Sequence, residues 1–422
     1  MRKTQPLPPE IDFGVLDAIS ERAADVIDKV KGAMLAPDSL KSPPIFNSQQ
    51  LADLTGLELA QVQYQAKKGD LPSGEQPDSK RRSWTLAETR QWVRSIKAKN
   101  LRNLETTSAV TICVAHFKGG VGKSSMVAAL AQGLSLRAGA RCLIVDADPQ
   151  GSVSTLFVPE REVEDDQTIL SLFAGFSDSL TSAIQKTYWD GVDIIAADPS
   201  LFSAEFLLPT RQIKQPELEF WKVLDNGLEE IRNSGEYDVI LVDTPPSLSF
   251  LTLNALYASH GVLMPLPPNN LDFNSSILFW QLFTETYEKF AKLRGDEKKF
   301  HFIDIVPSKV DKADTINVAV QGWIDKAYAP RVVPHSIPKT SIAALASASF
   351  GSVYDMNSSS AQAKTLARAR DAYDQLVDYV DNQIAGIWEY QHQQFVASEV
   401  KIAEAKKALD NKRAARNIEG VK

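Results

Sequence analysis

Residues 116–125 read HFKGGVGKSS, a glycine-rich segment between the apolar run AVTICVAH (109–116) and a helical pattern. The apolar run predicts a buried strand, so the segment lies in a turn from a strand into a helix. Gly119, Gly120 and Gly122 permit a tight path that brings the backbone close to a ligand. Backbone N–H groups in such a turn, at a helix N-terminus, form a cradle for phosphate oxygens. The segment therefore predicts a phosphate-binding loop.

The polar side chains of this loop suit a nucleoside triphosphate. Lys123 supplies positive charge to the β- and γ-phosphates, and the Ser124 hydroxyl can hold Mg²⁺. The usual loop of this type begins with a glycine where this chain has Phe117, and a second lysine, Lys118, stands directly before the double glycine. The residues expected to bind the phosphates are Lys118, Gly119, Gly120, Val121, Gly122, Lys123, Ser124 and Ser125.

Three aspartates follow two further apolar runs. CLIVDADPQGS (142–152) places Asp146 and Asp148 at the end of a predicted strand, and YDVILVDTPPS (237–247) ends an apolar run with Asp243. A doubly wound sheet binds its ligand at the carboxyl ends of its strands. We expect Asp243 to hold Mg²⁺ through water, and the residues after it to form a loop that senses the γ-phosphate. Either site alone is also compatible with a carboxylate that caps a strand end.

Apolar runs alternate with helical patterns from about residue 107 onward. The predicted strands are 109–116, 141–146, 192–197, 237–243, 261–266 and 300–306. The predicted helices are 123–137, 216–233, 249–259, 271–293, 314–328 and 361–417, the last as one or two helices. Continuous Val, Ile and Leu runs that alternate with helices indicate a parallel sheet covered on both faces. The predicted fold class is α/β, with a doubly wound, mostly parallel P-loop domain.

With a lysine before the double glycine and both aspartate motifs in order, the chain closely resembles the ParA/MinD family of deviant Walker A ATPases. The resemblance implies ATP, ADP and Mg²⁺ as ligands. It implies that Lys118 crosses the interface of an ATP-bound homodimer and touches the phosphates of the second copy. It maps Asp148 onto the residue that orients or activates the attacking water. Asp146 becomes a neighbour in the Mg²⁺ water shell, and the expected metal residues are Ser124, Asp146 and Asp243.

The resemblance also places the adenine pocket in a loop after the late strands. VPSKV (306–310) and HSIPKT (335–340) occupy those places and supply Ser308 and Pro338 as candidate contacts. Family members often carry Asn near the first of these places, so Ser308 alters the expected hydrogen bond to the base. An ordinary surface loop is the alternative interpretation.

Residues 46–98 show short amphipathic helices on either side of Gly56, followed by a polar stretch that suits a wing. The pattern resembles the winged helix-turn-helix of MerR-like regulators and of large plasmid ParA proteins. Residues 67–102 hold ten basic and four acidic side chains, a local +6 within a chain of net charge −7. A solvated charged hairpin is the alternative to DNA binding. Glutamines can pair with base edges and cations with phosphates, and the expected DNA contacts are Gln61, Gln63, Lys67, Lys68, Lys80, Arg81 and Arg82.

The two ends of the chain add helices. Residues 10–35 carry an apolar helical stripe that either docks on the same chain or joins a second copy. Lys364 and Arg368, with the basic stretch 401–417, are either nonspecific phosphate contacts or part of a solvated helix. The expected domains are an N-terminal helix with a dimerisation role (1–45), a winged helix-turn-helix DNA-binding domain (46–105), an ATPase domain (106–398) and a basic C-terminal tail (399–422).

Composition excludes several classes of protein. The 422 residues are 44% hydrophobic and 23% charged, which rules out low-complexity and wholly disordered chains. No run of about 18 apolar residues predicts a membrane span, and the first residues lack the apolar core of a signal peptide. Cys113 and Cys142 are too few for a disulfide framework or a four-thiolate cluster. We therefore expect a soluble protein of the cytoplasm that does not bind membranes.

The function we expect is that of an ATP-hydrolysing DNA partition protein of ParA type. By the resemblance, the ATP-bound dimer holds nonspecific DNA on the nucleoid, and a ParB-like centromere-binding partner stimulates slow hydrolysis. Higher-order assembly on DNA stays open. The winged domain is expected to bind an operator and repress its own operon. The alternatives are a nucleotide-sensing transcriptional repressor without a segregation role, which would not need Lys118 or Asp148, and a MinD-like positioning ATPase.

Overall fold

The computed structural model describes residues 13–35, 41–76, 81–158, 167–294, 298–342, 351–356 and 363–419. The chain divides into two compact units, Met1–Ser42 and Pro43–Lys422. The described helices are α1 (Phe13–Leu35), α2 (Ser48–Thr55), α3 (Leu59–Lys68), α4 (Leu86–Ile96), α5 (Lys123–Gly133), α6 (Ser152–Phe157), α7 (Leu170–Ala174), α8 (Ala204–Lys214), α9 (Val223–Asn233), α10 (Phe250–Ala258), α11 (Asn270–Arg294), α12 (Thr315–Tyr328) and α13 (Ala363–Glu419). The described strands are β1 (Phe46–Asn47), β2 (Ser83–Trp84), β3 (Val110–Val114), β4 (Cys142–Asp146), β5 (Gln185–Lys186), β6 (Val192–Ile195), β7 (Val239–Asp243), β8 (Gly261–Leu266) and β9 (Phe302–Pro307).

Seven strands of the second unit form one central sheet in the order β5-β6-β4-β7-β3-β8-β9. All neighbours pair in parallel except β5, which is antiparallel to β6. Every residue of β3, β4 and β7 is buried. Their alternate side chains enter two apolar cores, one beneath α5 and α13 and the other beneath α7 to α10. The prediction of a doubly wound, mostly parallel sheet is confirmed.

The boundaries differ from the sequence-based ones where tertiary packing overrides local pattern. The helix expected over 216–233 begins only at Val223, because Phe220 and Trp221 pack edge-to-face in the core just before it, with ring centroids 5.1 Å apart. The edge strand β5 and the helices α6, α7 and α8 were not predicted. Strand β5 has two residues, too few to show an alternation, and it exists because it pairs with β6.

The first part of the second unit is a small helical assembly with its own core. Asn47 caps α2 through its side chain, and Gly56 ends this helix with a φ of 71°, a left-handed conformation that favours glycine. Helix α3 follows after two residues and packs against α2 and α4 around Leu51, Val62 and Trp92. Strands β1 and β2 form a separate two-stranded antiparallel sheet. Lys80, expected in the wing, lies outside the described residues.

Part of the positive charge of this assembly is buried against the central sheet domain. Arg90 donates from Nε to the carbonyl of Ser135 at 3.1 Å, and Arg94 pairs with Asp238 at 3.1 Å. Arg102 also pairs with Asp238, at 3.3 Å, and its side chain is almost fully buried. The local +6 therefore serves partly to attach α4 and the following segment to the sheet domain, and not all of it faces solvent.

The long helices are described separately for each unit. In the first unit, α1 exposes Ile19 and Val26, two residues of the predicted apolar stripe. In the second unit, α13 is one helix of 57 residues, and it buries Leu376, Val380 and Ile384 in the core beside α5. It runs without a break through residue 398, where we expected the tail to begin. None of the described helices carries an apolar stretch long enough to cross a bilayer.

Candidate functional site

The phosphate loop connects the carboxyl end of β3 to the first residue of α5. Gly120 and Gly122 have φ values of 74° and 104°, left-handed conformations that a residue with a Cβ rarely adopts. Helix α5 begins at Lys123, so the helix N-terminus and its dipole point into the loop. Lys123 is buried and donates from Nζ to the carbonyl of Lys118 at 3.3 Å. Burial lowers the pKa of Lys123, and the carboxylates of Asp243 and Asp148 oppose this shift.

Two aspartates lie side by side at the carboxyl ends of neighbouring strands. Asp146 ends β4, Asp243 ends β7, and the two residues are paired in register. Burial raises the pKa of Asp146 to about 7. Burial also raises the pKa of Asp243 well above its usual range, and the nearby Asp146 adds to that rise. Neighbouring buried carboxylates disfavour each other's charged form, and a bound cation would relieve this repulsion.

The two aspartates after β4 have different surroundings. Asp146 accepts hydrogen bonds from the Ser154 hydroxyl at 2.7 Å and from the Asp148 amide at 3.1 Å, so both of its oxygens hold the following loop. Asp148 accepts one bond from the Gln150 amide at 3.0 Å and lines the cleft above the phosphate loop. Burial raises the pKa of Asp148, and Lys123 opposes this rise. Asp148 is therefore the aspartate of this loop that faces the cleft.

The oxygen atoms of side chains next to the phosphate loop suit a small, hard metal cation as ligands. Ser124 lines the cleft, and its hydroxyl counteracts the burial-driven rise in the pKa of Asp243. Hydroxyl and carboxylate oxygens are the ligands that Mg²⁺ prefers, usually together with substrate phosphates and water. Within the described part of the chain, no cluster of three or more His, Cys, Asp or Glu side chains could hold a metal by itself.

Lys118 forms an ion pair with a carboxylate that the sequence analysis did not identify. Its Nζ pairs with Asp272 Oδ1 at 2.5 Å, and Asp272 lies buried in the first turn of α11. The backbone N–H of Lys118 donates to His116 Nδ1 at 2.9 Å. Burial lowers the pKa of His116 to about 4, so the ring is neutral and accepts this bond near neutral pH. The Lys118 ammonium is thus bound to α11, and Lys118 does not belong to the residues that line the cleft above its own loop.

The cleft above the phosphate loop has a volume of about 870 Å³ and includes both expected adenine contacts. Pro338 forms a backbone bridge with Val310, which joins the two predicted loops. The Ser308 hydroxyl, however, donates to the carbonyl of Val121 at 3.2 Å, and Lys309 Nζ donates to the carbonyl of Gly120. The structure thus brings the phosphate loop and both late loops together, with Ser308 turned towards the loop backbone.

The expected DNA contacts that the structure describes separate into three groups. A second concave surface of about 590 Å³ includes Gln63, Lys67, Arg81 and Arg82. Gln61 instead accepts a hydrogen bond from the backbone amide of Glu58 at 2.9 Å and so caps α3. Lys68 pairs with Asp70 at 2.7 Å. Lys364 and Arg368 lie exposed one turn apart on α13.

Asp272, which pairs with Lys118, and Lys309, which lines the cleft, are two residues that sequence reasoning missed. Asp272 lies six residues after the end of β8, and Lys309 lies two residues after the end of β9. The carboxyl ends of the strands meet at the edge of a doubly wound sheet that binds ligand. The position of Asp272 and Lys309 shortly after a strand was therefore the sequence feature that could have identified them. Neither residue belongs to a contiguous motif.

Comparison with known proteins agrees with this geometry. A family model described as an AAA domain matches residues 109–292. Protein SopA of Escherichia coli (strain K12) is 30% identical over 281 residues, which cover 62% of this chain and 68% of SopA. Chromosome partitioning protein ParA of Caulobacter vibrioides (strain NA1000 / CB15N) is 27% identical over 270 residues, or 62% of this chain and 95% of that protein.

A solved structure described as "Partition Protein" shares the fold, with a TM-score of 0.62 at 21% identity. The match covers 88% of this chain and 99% of that one. The shared fold, the match to SopA, the phosphate loop and the two strand-end aspartates agree. The chain belongs to the ParA/MinD family of P-loop ATPases, with SopA and ParA among its relatives.

Proposed function

We propose that the protein hydrolyses ATP to ADP and phosphate and uses this cycle to move DNA cargo as a partition ATPase. The observation that carries the proposal is that Lys123 and Asp148 line one cleft together with the glycines of the phosphate loop. Family membership supports the same conclusion, because one of the relatives is a chromosome partitioning protein.

The phosphates of ATP would lie over the N-terminus of α5. Lys123, buried beside the loop, supplies a positive charge to the β- and γ-phosphates. Ser124, Asp243 and, through its water shell, Asp146 would hold Mg²⁺, which neutralises phosphate charge when it is bound. Asp148 orients the water that attacks the γ-phosphorus and can accept its proton. A single carboxylate suffices, since phosphoryl transfer depends mostly on positioning and charge.

Lys118 supports a role for a second copy of the chain. In the single chain its ammonium is paired with Asp272 of α11. In the proposed ATP-bound dimer, Lys118 exchanges this carboxylate for the phosphates of the second copy. Dimer closure would therefore depend on the bound nucleotide, which gives the ATPase cycle its two states.

The DNA-binding part of the proposal has separate support. Gln63, Lys67, Arg81 and Arg82 share one concave surface, with donors for base edges and cations for phosphates. We propose that this helical assembly reads the operator as a winged helix-turn-helix and represses the protein's own operon. Nonspecific DNA binding belongs to the ATP-bound dimer, with Lys364 and Arg368 as candidate phosphate contacts. A ParB-like partner would stimulate hydrolysis, and the protein would lie on the nucleoid in the cytoplasm.

A transcriptional repressor that senses nucleotide without any role in segregation is the second candidate. The observation that favours it is the same concave surface, because it can bind an operator without help from the ATP cycle. The two functions differ in whether nucleotide controls binding to DNA of arbitrary sequence.

The nucleotide site itself is tested by Lys123→Ala, with the exposed Lys326→Ala on α12 as the matched control. We expect Lys123→Ala to lose ATP binding by at least about 100-fold in a fluorescent-nucleotide titration, because the buried cation that faces the phosphates is gone. Lys326→Ala should bind as the unmodified chain does. Normal ATP affinity in Lys123→Ala would contradict the proposed site.

A further inference from the structure

The loop after β9 holds two consecutive carbonyls of the phosphate loop. Ser308, which is buried, donates its hydroxyl to Val121 O at 3.2 Å. Its neighbour Lys309 donates from Nζ to Gly120 O. Adjacent residues of one loop therefore bind adjacent carbonyls of the other.

The loop that makes these contacts is itself fixed from both sides. The amide of Ser308 donates to Leu266 O at the end of β8, at 3.1 Å. The amide of Val310 donates to Ile337 O at 3.0 Å. The two donors thus start from a backbone anchored to the sheet and to the following loop.

Lys309 has a backbone conformation that its side chain disfavours. Its φ is 52°, and it is the non-glycine residue with a positive φ in the described part of the chain. A left-handed conformation at a residue with a Cβ persists only when the surroundings impose it, and such residues concentrate at functional sites. Glycine would adopt the conformation more easily but could not supply the ammonium group.

Holding a carbonyl also fixes the amide on the other side of the same peptide bond. In a planar trans peptide, the C=O of one residue and the N–H of the next point in opposite directions. A Gly120 carbonyl held by Lys309 turns the N–H of Val121 the other way, and a Val121 carbonyl held by Ser308 does the same for Gly122. Preorganised N–H donors of this kind bind phosphate without a further ordering cost.

We propose that Ser308 and Lys309 are positioning residues that orient the phosphate-loop amides of Val121 and Gly122 towards the β-phosphate of a bound nucleotide. The proposal rests on the proposed nucleotide site and deepens it. It also gives Ser308 a role different from the base contact that the family resemblance implies.

The binding test uses the full chain with Ser308→Ala and Lys309→Met, and with Ser308→Thr and Lys309→Arg as matched controls that keep the donors. Titrations measure ADP, ATP and GTP. We expect each loss variant to weaken ADP and ATP about equally, by about 3- to 10-fold, which is the loss of one hydrogen bond. The ratio of ATP to GTP affinity should stay constant, and the controls should remain within about twofold of the unmodified chain.

Three results would overturn the proposal. A collapse of the ATP-to-GTP ratio in Ser308→Ala would mean that the hydroxyl reads the base. A loss in Lys309→Met that is confined to ATP would mean that the ammonium binds the γ-phosphate directly. Unchanged affinities in both variants would mean that the contacts do not position the loop.

Lys309→Gly separates the effect of the ammonium group on nucleotide binding from the effect of the left-handed backbone conformation on stability. We expect the melting temperature to rise, because glycine relieves the left-handed conformation, while ADP affinity falls as far as in Lys309→Met. A merely structural role would move both quantities together. Wild-type affinity in Lys309→Gly would contradict the proposal.

Hydrogen exchange keeps this proposal separable from the nucleotide site. In nucleotide-free protein, a peptide that covers residues 117–126 should exchange several-fold faster in Ser308→Ala with Lys309→Met than in the unmodified chain. If the unmodified chain binds no nucleotide, the proposed function fails, and the exchange measurement still decides whether the two residues order the loop. Unchanged exchange would contradict the proposal.

Discussion

The phosphate-loop edge of the sheet and the helical assembly of residues 46–102 both concentrate charge, but they use it differently. At the sheet edge, Lys123, Asp148 and Asp243 are buried close together, and their pKa values are shifted mainly by burial. In the helical assembly, Arg90 and Arg94 are bound to the sheet domain, while Arg81 and Arg82 line a concave surface. A high density of charge thus coincides with a ligand site at the sheet edge. In the helical assembly it is only a partial guide, because some of the cations bind the sheet domain and others line the concave surface.

The largest effect is expected at the sheet edge. Asp148→Asn keeps the size of the side chain and its contact with the Gln150 amide but cannot accept a proton. We expect ATP to bind with near-normal affinity and turnover to fall by about 100-fold or more, the range for a lost general base. Phosphate release with excess ATP measures this, and Lys326→Ala serves as control. Wild-type turnover would remove Asp148 from the mechanism.

A second prediction distinguishes two kinds of cation in the helical assembly, those that bind the sheet domain and those that line the concave surface. Arg90→Ala removes a buried guanidinium that binds Ser135 O and the Asp190 carboxylate. We expect it to lower the free energy of unfolding by about 3 kcal/mol, because the remaining partners lose their pairing. Arg81→Ala should change stability by less than about 0.5 kcal/mol but weaken operator binding.

Chemical denaturation and DNA titration of both variants measure this difference. If Arg81→Ala destabilised the protein as much as Arg90→Ala, the division between structural and DNA-facing cations would be wrong.

A smaller effect is expected where Lys118 meets Asp272. Asp272→Asn keeps the shape of the side chain but removes the negative charge that holds Lys118 at 2.5 Å. If Lys118 must leave Asp272 to reach a second copy, the variant should dimerise with ATP at a several-fold lower protein concentration. Light scattering at graded concentrations measures the shift. A dimer that forms less readily would show that Asp272 supports the closed state and does not compete with it.

The smallest effect concerns pH and the nucleotide-free protein. Burial raises the pKa of Asp146 to about 7, against a usual value of 3.8. Between these values the folded chain keeps a proton that the unfolded chain has released, so this contribution to stability is lost as pH rises from about 4 to 7.

Asp146→Asn should therefore flatten the dependence of stability on pH in this window, whereas the exposed Asp325→Asn should not. Thermal unfolding at pH 5, 6 and 7.5 without nucleotide measures it. An equally steep dependence in Asp146→Asn would assign the effect to other groups.

The sequence predicted the central sheet and the phosphate loop because both are encoded locally. Strand β3, the loop and α5 are contiguous, and a phosphate cradle needs glycines and a lysine at fixed spacing. Asp146 and Asp243 were also accessible, since a buried run of apolar residues ends at each of them. Local chemistry is enough at these positions.

What the sequence could not predict depends on distant contacts. Lys118 and Asp272 are far apart in the sequence, with strands β4 to β8 between them. No motif of fixed spacing therefore relates the two residues. Lys309 has its role through a backbone conformation that a lysine rarely adopts. Arg90 and Arg102 contribute to the local positive charge of a basic segment, and only the packing of α4 and the segment after it shows their structural use.

The most direct test of the account is binding to a scrambled DNA duplex with ATP, with ADP and without nucleotide, at one fixed salt concentration, because salt alone changes such binding steeply. If the cleft controls DNA binding through dimer closure, the duplex is bound with ATP and not with ADP or without nucleotide. Equal binding in all three states would contradict that account and would make the helical assembly of residues 46–102 the main DNA reader.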